Sequence, residues 1–121
     1  MASHNARSTR EVLDDHLQRR MDGDVEGDIA HNYAPDVVVL TATGKRIGHE
    51  AVRHFSAMLR EHVPPTYEIV RKEVEGRFAF IEWRAREPGR SVEDGADSFV
   101  VEDGRIVLQT IHYTLQETMP D

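Results

Sequence analysis

The chain contains no cysteine. No disulfide framework can brace it, and neither a thiolate nucleophile nor a zinc–thiolate site is available. Positive charge is also short: 15 Lys+Arg stand against 22 Asp+Glu, for a net charge of −7 and a pI near 5.4. Nucleic-acid binders normally carry a basic face, so that class is not expected. No apolar run approaches the roughly 18 residues that a bilayer span needs. The opening stretch, residues 1–7, is polar and leads into no hydrophobic segment. It reads as a flexible tail without a secretory signal, which makes a cytoplasmic location the expectation. HExxH, GxSxG and a Gly-rich phosphate loop are all missing. Among the seven histidines, His49 and His54 are five apart and do not stack on one helix face. His31 has no ligating partner one turn away. No metal and no cofactor are expected.

What remains is 121 residues, 39% apolar and 31% charged. That suits one globular domain with an ordinary core, expected over residues 8–117. Ser8-Thr9-Arg10-Glu11 fits a capping box. Val12, Leu13, Leu17 and Met21 then recur at helical spacing, with His16 on the same stripe. Gly23 ends that helix, and Asp24 caps a second whose face is Val25, Ile29 and Tyr33. Pro35 stops it. Val37 to Thr41 is β-branched and reads as a strand. Gly48 opens a third helix with Val52, Phe55 and Leu59 buried, closed by Pro64-Pro65. The rest alternates as β: Thr66–Val74, Phe78–Arg86, Ala96–Val101 and Arg105–Leu115. The turns fall at Gly76, Pro88-Gly89 and Asp103-Gly104. Helices first and a long antiparallel sheet after is an α+β layout.

The last hairpin allows two registers. A type I turn with a Gly104 bulge puts Asp97 opposite Gln109, on one face with Phe99, Val101, Val107, Ile111 and Tyr113. A two-residue turn at Asp103-Gly104 instead groups Asp97 with Thr110 and His112. That Asp–His pair would suit acid–base work. In the first register Asp97 and Gln109 are polar groups in an apolar wall. A carboxyl there has a raised pKa, or makes a structural hydrogen bond to its neighbours. The strand Phe78–Arg86 splits into a Phe78, Phe80, Glu82, Arg84, Arg86 face and an Ala79, Ile81, Trp83, Ala85 face. Pattern alone favours Glu82 and Arg84 as a surface ion pair, with Trp83 and Ile81 buried.

Several segments together carry a family resemblance. They are Met21-Asp22-Gly23-Asp24-Val25, Tyr33-Ala34-Pro35-Asp36-Val37-Val38, Gly48-His49-Glu50-Ala51-Val52 with Phe55, and Asp97 to Val107. In this order and spacing the chain resembles the nuclear-transport-factor-2-like superfamily, which holds SnoaL-like polyketide cyclases and ketosteroid isomerases. The resemblance implies a cone: a curved antiparallel sheet packed on three helices from the N-terminal half (cystatin-like, an α+β barrel), with a pocket at the open end. It implies a small, largely apolar ligand and cofactor-free proton transfer, or else a non-catalytic binding module, since this fold hosts many functions.

Asp97 falls on the isomerases' acid position, a role borrowed from that family, which is also the general example of a buried neutral carboxylic acid. His16 replaces their helix tyrosine, and Thr41 their general-base aspartate. Thr41 cannot act as a carboxylate base. The family alignment turns Glu82 and Arg84 into the pocket, against the pattern. The expected site is therefore Asp97 and His16 as proton carriers. Tyr33, Thr41, Phe55, Glu82, Arg84, Phe99, Gln109 and Tyr113 are the expected ligand-binding groups. An inward Glu82 would leave Trp83, Ile81, Leu108 and Ile106 outside, and a homodimer through the outer sheet face would cover them.

Overall fold

The computed structural model describes residues 6–118. Expectations for residues 1–5 lie outside the described residues. Arg7, assigned to the tail, is docked: its guanidinium donates to Asn32 Oδ1 at 2.9 Å and to the Gly104 carbonyl at 2.9 Å.

Helix α1 (Thr9–Met21) starts as its capping box requires. The Ser8 hydroxyl accepts from the Glu11 N–H, and the Glu11 carboxylate accepts from the Ser8 N–H. Helix α2 (Val25–Asn32) is capped by Asp24, which accepts from the Gly27 N–H. Strand β1 (Tyr33–Thr41) follows without a loop. Tyr33 is therefore the first strand residue and not part of the second helix. Its extended backbone (φ −110°, ψ 135°) comes two positions ahead of Pro35, where a helix could not continue. Strand β2 (Gly44–Ile47) folds back on β1. Helix α3 (His49–His62) carries Ala51, Val52 and Phe55 on its buried face.

Four further strands complete the sheet: β3 (Tyr67–Glu75), β4 (Phe78–Glu87), β5 (Arg90–Glu102) and β6 (Arg105–His112). A short β7 (Leu115–Glu117) pairs with the start of β5. The strand order is β2-β1-β6-β5-β4-β3. The result is an α+β cone of three helices and a curved, unclosed sheet. One pairing, β1 with β6, is parallel, so the sheet is mixed. The crossover through two strands, a helix and a hairpin is long enough to permit that pairing.

The last hairpin combines features of both expected registers. Asp103 and Gly104 both have positive φ (51° and 74°), the signature of a two-residue type I′ turn. A register shift between Val100 and Val101 then changes the pairing. Phe99 stands opposite Gln109, and Asp97 opposite Ile111. The bulge returns Gln109 and Ile111 to Asp97's face and sends Ile106, not Val107, inward. His112 is exposed and does not meet Asp97. Its nearest acid is Asp94, at 3.8 Å.

Candidate active site

The cone encloses a cavity of about 380 Å³. That lies within the range of small-molecule sites. Its walls are mostly apolar: Val39, Val52, Phe55, Leu59, Ile81 and Trp83 contribute, and Met21, Pro64, Tyr67 and Ile69 stand around it. Set among them are His16, Arg20, Asp97 and Gln109.

His16 comes from the buried stripe of α1 and is 3% exposed. Its Nδ1 lies 2.8 Å from Asp28 Oδ2 and 3.0 Å from Oδ1. Asp28, on α2, is fully buried. Burial alone would push its carboxyl up. The hydrogen bond from His16, the charges of His16 and Arg20, and the Asn32 amide outweigh that, and the net shift is downward. Asp28 is thus an ionised acceptor, so Nδ1 of His16 carries the hydrogen that points at it and Nε2 is the ring nitrogen Asp28 does not engage. Arg20 lies one helical turn beyond His16, and its Nε donates to the same Asp28 Oδ2 at 2.8 Å. Asn32 Nδ2 closes the cluster on Asp28 Oδ1 at 2.8 Å. The edges of the His16 ring rest against Phe99 and Tyr33, with centroids 5.4 and 5.8 Å apart.

The second polar group rises from the sheet. Asp97 is 7% exposed. Its Oδ1 accepts from Trp83 Nε1 and its Oδ2 from Gln109 Nε2, each at 3.0 Å. Burial raises its pKa. The two N–H donors and the charges of His16 and Arg20 offset part of that rise. Gln109 Oε1 in turn accepts from the Tyr33 hydroxyl at 2.5 Å. Tyr33 is buried, which pushes its hydroxyl up, while the neighbouring Arg20 guanidinium pulls it back. A chain of contacts therefore runs from Asp28 through Arg20, Tyr33 and Gln109 to Asp97.

The expected residues divide accordingly. His16, Asp97, Gln109 and Phe55 line the cavity. Tyr33 and Phe99 lie behind the lining residues and touch them. The half-buried Tyr113 packs on the Trp83 ring, 5.9 Å between centroids. Thr41 does not reach the cavity. Its hydroxyl accepts from the Thr43 N–H at 3.1 Å and bonds the Gly44 carbonyl, stabilising the β1–β2 turn.

Glu82 and Arg84 are corrected as well: they face outward. Alternation along β4 buries Ala79, Ile81, Trp83 and Ala85. Arg84 pairs with Glu68 at 2.8 Å, and Glu82 sits 3.6 Å from Arg71. Burying an indole and an isoleucine removes apolar surface from water, whereas turning two charges inward would desolvate them. Trp83, Ile81 and Ile106 are buried inside, so they do not form the outer apolar patch that a dimer partner was expected to cover.

Arg20, Asp28, Asn32 and Trp83 were not anticipated as site residues. A signal was present: His16 and Arg20, like Asp28 and Asn32, are spaced i, i+4, which puts each pair on one helix face.

The domain model described as SnoaL-like matches residues 13–109. Among solved structures, an NTF2-like protein of unknown function from Mesorhizobium loti superposes with a TM-score of 0.73. It is 21% identical, over 94% of this chain and 97% of that one. A ketosteroid isomerase candidate from Kribbella flavida gives 0.72 at 16% identity, over 93% and 82%. A polyketide cyclase candidate from Sinorhizobium meliloti gives 0.66 at 24% identity, over 84% and 93%. Such identities establish a shared fold. No curated protein matches the chain.

Proposed function

The chain belongs to the SnoaL-like domain family, and from that premise we propose that its cone binds a small, largely apolar molecule and moves a proton on it without a cofactor, as an isomerase, cyclase or dehydratase would. His16 Nε2 is the proton acceptor, and Asp28 positions its ring. Asp97, set in the opposing sheet, is the second proton carrier, and Gln109 holds its carboxyl in place. One observation carries the reading: the His16–Asp28 pair opens onto the same apolar cavity as Asp97. An imidazole held by a buried carboxylate is a poised general base, and an apolar surround strengthens its interactions with a reacting group.

The test is hydrogen exchange. Small enolisable ketones such as 2-tetralone are incubated with the protein in D2O and followed by NMR. Exchange at the carbon next to the carbonyl is expected well above the buffer rate, and it is lost in His16→Gln. Exchange no faster than buffer across the panel, or an undiminished rate in His16→Gln, overturns the reading.

A non-catalytic binding module is the second reading. Thr41 in place of a carboxylate, and the occupation of both Asp97 oxygens by N–H donors, favour it. Saturable ligand binding with no exchange would select it. Self-association through the convex sheet face belongs to the proposal too. It is supported by the outward Leu40 and Phe78, 39% and 51% exposed. Sedimentation velocity reads it, and a sharp monomer at high concentration rejects it.

A further inference from the structure

We propose that Arg20 is the group that holds the ligand's oxygen, so that the cavity selects carbonyl compounds whose oxygen gains negative charge as a neighbouring C–H proton leaves. This rests on the proton-transfer reading for its chemistry, but it is carried by separate observations.

First, the guanidinium is unusually placed. It lines the cavity, with its side chain 20% exposed, and is held from behind by Nε to Asp28. The Tyr33 hydroxyl lies beside it. A guanidinium has five N–H donors in a rigid fork. Among the described residues its one side-chain hydrogen bond runs from Nε to Asp28, so the two terminal NH2 groups remain to meet a ligand in the cavity that Arg20 lines. Arginine also stays charged in almost any surroundings.

Second, the spacing fits a single functional group. His16 and Arg20 are one turn apart on α1, and both rest on Asp28 Oδ2, each at 2.8 Å. Side chains at i, i+4 stand about 5–6 Å apart at Cβ. A carbonyl oxygen and the C–H next to its carbon are only three bonds apart, closer than that, but the two side-chain tips converge on one Asp28 oxygen, so one substrate fragment can meet both. The proton goes to His16 Nε2. The C–H electron pair becomes the new C=C bond, and the carbonyl π pair moves to the oxygen facing Arg20. Nothing else is consumed.

Third, the other obvious candidate for this task is occupied. Asp97 would have to donate a hydrogen bond to hold such an oxygen. Trp83 can only donate to it, and Gln109 presents its N–H2 because its oxygen is filled by Tyr33. Both carboxyl oxygens therefore already accept one hydrogen bond, which leaves Asp97 less free than Arg20 to turn a donor to the ligand. A preformed, desolvated cation is the kind of group that stabilises charge as it develops. Asp28 balances that cation, so a free anion gains less from the site than an oxygen whose charge appears only during reaction.

The experiment uses 4-nitrophenol, whose phenolate resembles an enolate and absorbs visibly, titrated against the full chain across pH. The bound probe is expected to be at least tenfold more acidic than the free one. Arg20→Met should remove that gain, and Arg20→Lys should keep part of it. Arg77, an exposed cation outside the cavity lining that pairs with Glu102, should be replaceable by Met without effect. No saturable binding, a bound probe ionised no more than the free one, or a gain abolished by Arg77→Met overturns the proposal. Should Arg20→Met fail to fold, the native titration with Arg20→Lys and Arg77→Met still decides it. The readout needs no turnover. An ionised probe on a protein without proton exchange rejects the proton-transfer reading alone, and exchange without probe ionisation rejects Arg20 alone.

Discussion

The Tyr33 hydroxyl donates to Gln109 Oε1 at 2.5 Å across 76 positions of sequence, and that bond decides which way the Gln109 amide faces. With the oxygen filled, the N–H2 must turn to Asp97. The first residue of β1 thus orients a carboxyl on β5 through a side chain on β6.

Tyr33→Phe removes the orienting donor and leaves a buried amide oxygen unpartnered. The expected loss is about 1–3 kcal/mol, the cost of an unsatisfied buried acceptor. Urea unfolding followed by the fluorescence of Trp83, the only tryptophan, measures it. A change below a few tenths of a kcal/mol would mean the amide has another way to satisfy its oxygen.

How much of this could be read beforehand depends on the range of the contact. The Ser8 and Asp24 caps and the break at Gly23 are local chemistry, and the helices begin where those residues predict. Alternation puts Asp97 with Phe99 and Gln109 with Ile111, but whether the two pairs share a face depends on the register across the hairpin, which alternation leaves open. A type I′ turn at Asp103-Gly104 and a bulge three residues on nearly cancel, and only backbone geometry separates them from one bulged turn. Asp28 was missed because its partner His16 lies across the helix break. Glu82 and Arg84 were misplaced where family analogy overrode the simple rule that Trp83 and Ile81 bury.

Asp28→Asn should be the most damaging single change in the site. It removes the charge that offsets buried Arg20 and leaves that cation uncompensated, a loss of about 3–5 kcal/mol. The pH dependence has a definite sign. The Asp28 carboxyl is lowered from its ordinary value of 3.8, so its contribution is present above that value and is lost as pH falls through the lower, folded one. The native–variant gap in urea midpoint should therefore be full at neutral pH and shrink below about pH 4. A gap independent of pH would remove the charge from the explanation.

Asp97 titrates in the opposite sense. Burial raises it above 3.8, so its stabilising contribution is complete below that pH and is lost as pH rises through the higher folded value. Asp97→Asn carries no charge to bury. Relative to the native protein the variant should gain stability as pH rises from about 3.5 to 7, although Asn sets a second N–H2 against Gln109 and costs a fixed amount at every pH. Parallel unfolding series give the sign directly. A native advantage that grows with pH would show that Trp83 and Gln109 more than repay the burial of the charge.

Gly95 stands opposite Trp83 in the β4–β5 ladder, and that juxtaposition gives the last test. A Cβ at position 95 would fall 2.3 Å from the indole carbons, well inside contact distance. The ring has little freedom to yield: Nε1 is tied to Asp97, and Tyr67 and Tyr113 flank it with centroids 6.5 and 5.9 Å away. Gly95→Ala should therefore cost about 1–3 kcal/mol through overpacking and tilt the indole away from Asp97. Losing that donor removes a group that lowers the Asp97 pKa, so the carboxyl should move further up. Carbon-13 NMR of the Asp97 carboxyl in native and variant protein reads the second effect. An unchanged titration together with the stability loss would show that the indole yields without releasing the carboxyl.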